Sequence, residues 1–89
     1  MSGFDPGRAY ALHPDLALRH ERFGALLYHY GNRRLTFLKS PQLAAVVEQL
    51  GDYESVDAAL DAHGVDRAAR PSIVQALERL ETSEVIRAR

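Results

Sequence analysis

Surface chemistry needs few residue types at fixed spacings, and this sequence offers several groups to consider. Histidines at positions 13, 20, 29 and 63 have the chemistry to hold a metal or move protons. They come from different segments, however, and share no ligand spacing such as H-x-x-x-H. His13 precedes a proline, His29 lies near a predicted hairpin tip, and His63 ends a predicted helix, where the dipole favours a cation. Ordinary structural roles account for all of them. Ser40 and Ser55 precede apolar helical patterns, and neither sits in the G-x-S-x-G turn of a hydrolase nucleophile. Asp57 and Asp61 stand one helical turn apart, as an acid–base pair would. No further ligand or acid lies near them in sequence, so they read as a solvated acidic face. The six glycines are scattered as turns and helix stops, with no phosphate-cradling cluster. The absence of cysteine excludes thiolate metal sites, disulfides and a cysteine nucleophile. The chain reads as a non-enzyme with no cofactor and no metal.

The remaining group is cationic. Arg33, Arg34 and Lys39 flank a predicted strand, and Arg67, Arg70 and Arg79 lie on or before the last predicted helix. One reading is a solvated rim. The other is that both sets border one groove and attract an acidic partner segment. DNA would be a further use of such a groove, since Arg67, Arg70, Ser72 and Gln75 sit where a helix-turn-helix reads bases. Against DNA stands the sorting of charge along the chain. Residues 1–40 sum to +3, residues 41–66 to −6 and residues 67–89 to +2, for a net charge of −1. The helix that would cross the phosphate backbone carries Asp57 and Asp61 and no Lys or Arg, which opposes counterion release. A DNA-binding regulator is therefore the alternative reading, and no nucleic-acid partner is expected.

These residues must be positioned by one small domain. Eighty-nine residues bury only about 60–65% of the surface exposed by the unfolded chain, so the core is thin. No apolar run approaches the roughly 18 residues of a membrane span, and no signal sequence opens the chain, so the expectation is a cytoplasmic protein with no membrane partner. Residues 1–9, with Gly3, Pro6 and Gly7, read as a flexible leader, and residues 10–89 as the domain. Strands are predicted at Ala17–His20, Phe23–Tyr30 and Leu35–Leu38. A two-residue turn at Gly31-Asn32, both tolerant of positive φ, would pair Tyr28 with Leu35 and Leu26 with Phe37. Those four then share one face, expected to be the core side. The opposite face, with Ala25, Leu27, His29, Arg34, Thr36 and Leu38, is too apolar for a solvated one. It calls for a cover from Tyr10–Leu12 or from a partner.

Three helices follow. Ser40-Pro41 is a start signal, Leu43, Val46, Val47 and Leu50 recur at helical spacing, and Gly51 supplies the stop. Ser55 caps a second helix with Val56, Ala59 and Leu60 inward, ending at Gly64. Asp66 offers another cap, and a regular helix runs from about Arg70 to Thr82 with Ile73, Val74, Leu77 and Leu80 inward. Val85 and Ile86 read as a short closing extension. The fold class is α+β: a small winged-helix-like domain, a three-stranded antiparallel sheet followed by three helices.

In a simple meander the third strand, Leu35–Leu38, is left at an edge. It is apolar, lacks proline, and has only the flanking cations to discourage pairing with another chain. Such an edge accepts a strand from a partner, pairs with a second copy as a homodimer, or is covered by Val85–Arg87. The chain is thus expected as a monomer or an edge-strand homodimer.

Leu18-Arg19, the run Glu21-Arg22-Phe23-Gly24-Ala25-Leu26-Leu27-Tyr28, then Arg33-Arg34-Leu35 and Phe37-Leu38-Lys39-Ser40-Pro41 resemble the mycofactocin precursor-peptide chaperones. These belong to the wider family of peptide-recognition elements typified by the pyrroloquinoline quinone peptide chaperone. The resemblance runs from about Tyr10 to Ile86, and Leu18–Pro41 is its specific part. Many relatives have glycine after the third helix where this chain has Ser83. The resemblance implies a non-catalytic protein that holds the leader of a ribosomally made precursor peptide as an added strand, between the third strand and the third helix. It also implies presentation of that peptide to a radical S-adenosylmethionine maturase, which decarboxylates and cross-links a C-terminal Val-Tyr and carries the iron–sulfur clusters itself. Carried onto this sequence, the peptide contacts fall on Arg34, Leu35, Thr36, Phe37 and Leu38, with Ile73, Val74, Gln75 and Leu77 as the helical wall. The electrostatic rim would be Arg33, Lys39 and Arg70.

Overall fold

The computed structural model of the chain describes residues 3–89. Five strands and three helices follow in the order β1 (Tyr10–Leu12), β2 (Leu16–Glu21), β3 (Gly24–His29), β4 (Leu35–Leu38), α1 (Pro41–Gln49), α2 (Val56–Ala62), α3 (Arg70–Thr82) and β5 (Ile86–Ala88), with a 3₁₀ turn at Leu50–Asp52. The fold is α+β. Strands β2, β3 and β4 form an antiparallel meander, so the predicted third strand, β4, lies at an edge. The closing extension does not cover it: β5 pairs with β1, Tyr10 opposite Ala88 and Leu12 opposite Ile86. That two-stranded ribbon was not foreseen as strand structure.

Local chemistry explains the helices. The Leu43 N–H donates to Ser40 Oγ at 3.1 Å and the Ala58 N–H to Ser55 Oγ at 3.0 Å, each satisfying a first-turn donor. The lead-in expected to be loose falls, at residues 1 and 2, outside the described residues. Further along it meets α2: the Val56 and Asp57 N–H groups donate to the carbonyls of Arg8 and Pro6 at 3.1 and 3.0 Å. Helix α3 begins without a side-chain cap, so Asp66 does not play that role. Helices α2 and α3 end alike. Val65 N–H donates to Leu60 C=O and Val85 N–H to Leu80 C=O, while Gly64 and Glu84 take the left-handed conformation at φ 65°. These are Schellman ends, with an apolar residue after the left-handed one. The left-handed position after α3 is Glu84, whereas Ser83 keeps φ at −90°.

The sheet pairs as predicted, but its faces are reversed. Tyr28 stands opposite Leu35 and Leu26 opposite Phe37. Yet Leu35 and Phe37 are 52% and 54% exposed, while Ala25 and Leu27 are fully buried. The core side is the set Ala25, Leu27, His29 and Leu38, covered by α1 and joined by Tyr10, which is itself fully buried. Register fixes which residues share a face but not which face is wet. Both faces here are apolar. The small Ala25 lets α1 approach, and Tyr10 supplies the bulk that the aromatic residues of the other face were expected to supply.

Candidate functional site

The β3–β4 turn sets the geometry of the exposed edge. Instead of a two-residue turn, His29 C=O accepts from Arg33 N–H at 2.8 Å, and His29 N–H donates to Arg34 C=O at 3.0 Å. The left-handed residue is Arg33, at φ 59°, and neither Gly31 nor Asn32 has positive φ. Glycine is needed at 31 for room: a Cβ there would lie 2.8 Å from Cε1 of His29, whose ring folds beneath the turn. Nδ1 of that ring accepts from the N–H groups of Gly31 and Asn32 at 3.0 and 3.2 Å. Asn32 Oδ1 accepts from Arg34 N–H at 2.9 Å, and Asp15 C=O from Tyr30 N–H at 2.8 Å. Every backbone donor from Tyr30 to Arg34 thus has a partner, which pins the register of β4.

The His29–Arg34 bond also sets the direction of each β4 backbone group. Antiparallel pairs alternate between hydrogen-bonded and non-hydrogen-bonded. The Arg34 C=O and the backbone polar groups of Thr36 and Leu38 therefore point at β3, while the N–H and C=O of Leu35 and Phe37 point to the free edge. At the other end of the strand, Gly24 makes the approach possible. It has φ 148°, and a Cβ on it would overlap the Leu38 carbonyl oxygen and lie 2.9 Å from Ser40 N.

Between the end of the β3–β4 turn and α3 lies an open groove of about 500 Å³ lined by Gly3, Arg34, Glu78, Arg79, Glu81, Thr82 and Ser83, with none of Leu35–Leu38 in its wall. The structure therefore brings Arg34 together with the second half of α3, not the first. Of the expected helical wall, Leu77 is fully buried, Ile73 nearly so, Val74 half-buried and Gln75 exposed. Leu38 also belongs to the core. Arg33 and Lys39 are exposed at either end of β4. Arg70 is half-buried, its Nη2 donating to Asp61 and its Nε to Val65 C=O at 3.4 Å, so its charge is answered within the chain. Glu78, Glu81 and Thr82 were not singled out from the sequence. The signal available was Arg79 with its neighbours at helical spacing, where Glu78 and Thr82 are one turn apart on the same stripe. Of the cations expected to border one groove, Arg34 and Arg79 line this one, with Glu78 and Glu81 beside them.

Among the described residues, no group of three or more His, Asp or Glu is placed to hold a metal ion. Among these residues, no helix is long and apolar enough to cross a membrane. No solved structure matches the chain. The sequence is 45% identical over 85 residues to "Peptide chaperone MftB" of Mycobacterium tuberculosis strain H37Rv, covering 96% of this chain and 78% of the relative. It is 45% identical over 83 residues to the protein of the same name from Mycobacterium ulcerans, covering 93% and 76%. The Mycolicibacterium smegmatis protein of that name is 41% identical over 83 residues, covering 93% and 81%. The sequence profile of the Peptide chaperone MftB family matches residues 9–87, and with an open strand edge inside the matched region, this chain belongs to that family.

Proposed function

We propose that this chain is a non-catalytic chaperone that binds the leader of a ribosomally made precursor peptide, the mycofactocin precursor, as a strand added to β4. In this reading it presents the peptide to a radical S-adenosylmethionine maturase. Family membership supports the peptide-chaperone part. The observation that carries the binding mode is the unpaired outer edge of β4, where Leu35 and Phe37 direct their backbone groups away from β3 while β5 is engaged with β1.

The energetics follow from that edge. Two N–H and two C=O groups contribute about 1 kcal/mol net each when paired, or roughly 4 kcal/mol together. Ordering a disordered leader costs about 2–5 kcal/mol. Main-chain pairing therefore offsets ordering and little more, and net affinity comes from side chains. Alternate leader side chains would enter the groove beside Arg34, Arg79 and Thr82, or lie beside Leu35 and Phe37. Arg33 and Lys39 at the strand ends act on encounter with acidic leader residues more than on the bound state.

Calorimetric titration with the leader peptide, paired with amide hydrogen exchange, tests the mode. In the free protein the amides of Leu35 and Phe37 should exchange fast and that of Thr36 slowly. Saturating leader should protect Leu35 and Phe37. Saturable binding that leaves both amides fast would place the peptide elsewhere, and no binding at all would remove the chaperone reading. A random duplex DNA of the same concentration should not bind.

A further inference from the structure

The outward sheet face is a second surface, separate from the edge. Among the described residues, the large apolar side chains left exposed are Phe23, Tyr28, Tyr30, Leu35 and Phe37. Tyr28, Leu35 and Phe37 lie on this face by register, with Leu26 between the strands. Phe23 packs against Phe37 with ring centroids 6.2 Å apart, and Tyr30 against Tyr28 at 5.3 Å. Monomeric proteins seldom leave such a cluster open without a use for it. On the β2 side the face dips into a depression of about 190 Å³ walled by Ala17, Arg19, Leu26 and Tyr28, room for one large apolar side chain.

We infer that this face docks a second protein, whose contact surface presents an apolar anchor side chain ringed by carboxylates. Charge decides the occupant. Arg19 walls the depression and makes an exposed pair with Glu21 at 3.2 Å. Arg22, Arg33 and Lys39 at the rim are exposed and have no ion-pair partner among the described residues. A second copy seated face to face would set these cations against themselves. Half of the twelve acidic residues lie in residues 41–66, on or beside the helices rather than on this face, where the register places Glu21, already paired with Arg19. A nucleic acid would meet Tyr28 and Phe37 as stacking platforms, but the aliphatic centre and net charge of −1 give its phosphates little to follow.

Geometry gives the face its use. Strand addition proceeds in the plane of the sheet, and face docking proceeds perpendicular to it. One chain can therefore hold a peptide on β4 and a protein on its outward face at the same time. The inference rests on the delivery reading above, with the maturase as the protein delivered to. Leu26 and Tyr28 in β3 offer nothing to the β4 edge, so they separate the two surfaces.

The test measures binding of a purified radical S-adenosylmethionine maturase from the source organism, with and without saturating leader. It compares wild type, Leu26→Glu, Tyr28→Glu and the milder Tyr28→Thr, which keeps strand propensity. Thermal melts establish that each variant is folded. Expected is loss of enzyme affinity by at least 20-fold in the Glu variants and about 5-fold in Tyr28→Thr, with leader affinity within twofold of wild type. Unchanged enzyme binding in folded variants overturns the inference, as does parallel loss of leader binding. A wild type that binds leader but never the enzyme overturns it too. Failure of leader to bind, with enzyme binding still lost in the Glu variants, overturns the delivery reading alone. Sedimentation showing a dimer that the Glu variants dissolve, or binding of a 12-nucleotide oligouridine that they abolish, would replace the partner with a second copy or an RNA.

Discussion

Proline at Leu35 separates strand addition from every mode that uses β4 side chains alone. The Leu35 N–H points to the free edge, so Leu35→Pro removes a donor that β3 does not use. Proline is tolerated in an edge strand when its N–H would face solvent. Compared with Leu35→Ala, which loses the same side chain, Leu35→Pro forfeits one main-chain bond of about 1 kcal/mol and leaves a leader carbonyl unpaired against the ring. The second effect costs about 1–2 kcal/mol. Together these weaken the leader complex by about 2–3 kcal/mol, or roughly 30- to 150-fold. Thr36→Pro is the internal control, because its N–H bonds Leu27 across the ladder. That substitution should lower domain stability by about 1–3 kcal/mol. Calorimetry gives the affinities and a urea melt gives the stabilities. A folded Leu35→Pro protein that binds leader as tightly as Leu35→Ala would refute strand addition at this edge. So would a Thr36→Pro protein that keeps its stability and loses only binding, because the assigned bond directions would then be reversed.

Glu84 occupies a left-handed position that Gly64 occupies in the equivalent helix end. Glu84→Gly should therefore stabilise the domain by about 0.5–1 kcal/mol, the relief of left-handed strain less the gain in unfolded-chain entropy. An unchanged or lower melting temperature would count against that helix end. Gly24→Ala drives a methyl group into the Leu38 carbonyl and should cost about 3 kcal/mol or more, read as a fall in the urea midpoint. A wild-type midpoint would show that the β3–β4 junction is looser than described. Arg33→Glu with Lys39→Glu should slow leader association about tenfold at low salt and flatten its salt dependence, measured by stopped flow. A change confined to dissociation would assign these side chains to the bound complex instead.

Much of this arrangement is written in local signals. Ser40 and Ser55 cap the helices they precede, and α3 spans Arg70–Thr82 as its apolar spacing indicates. The pairs Tyr28–Leu35 and Leu26–Phe37 follow because a four-residue loop from Tyr30 to Arg33 preserves the register that a two-residue turn would give. What the sequence hides is anything set by long-range packing. The choice of core face depends on Tyr10 and α1, each outside the hairpin, so alternation within the hairpin could not decide it. The role of Gly31 is concealed for the same reason: it makes room for the His29 ring rather than supplying positive φ. Pairing of β1 with β5 joins residues at opposite ends of the chain. Three-residue strands carry too little pattern to announce it. Of the expected wall of α3, Ile73 and Leu77 follow the apolar stripe into the core, while the groove lies beside the polar stripe of Glu78 and Thr82.

The reversal of the faces changes what the edge can do. Had Leu26, Tyr28, Leu35 and Phe37 been the core, an added strand would have continued a buried face beneath the helices, and β4 would offer only backbone. With those residues outside, β4 presents backbone in the plane of the sheet and apolar side chains perpendicular to it. The opposite face is already occupied by α1, and β5 is occupied by β1. Two surfaces of different chemistry therefore meet along one four-residue strand. Main-chain pairing at the edge would accept any extended chain, so selectivity for a leader would have to come from the charged groove and from the β4 side chains themselves. A leader that binds the edge also brings its own outward side chains alongside Leu35 and Phe37. A protein docked on that face would then sense whether the edge is filled, which couples peptide capture to delivery without any movement of the fold.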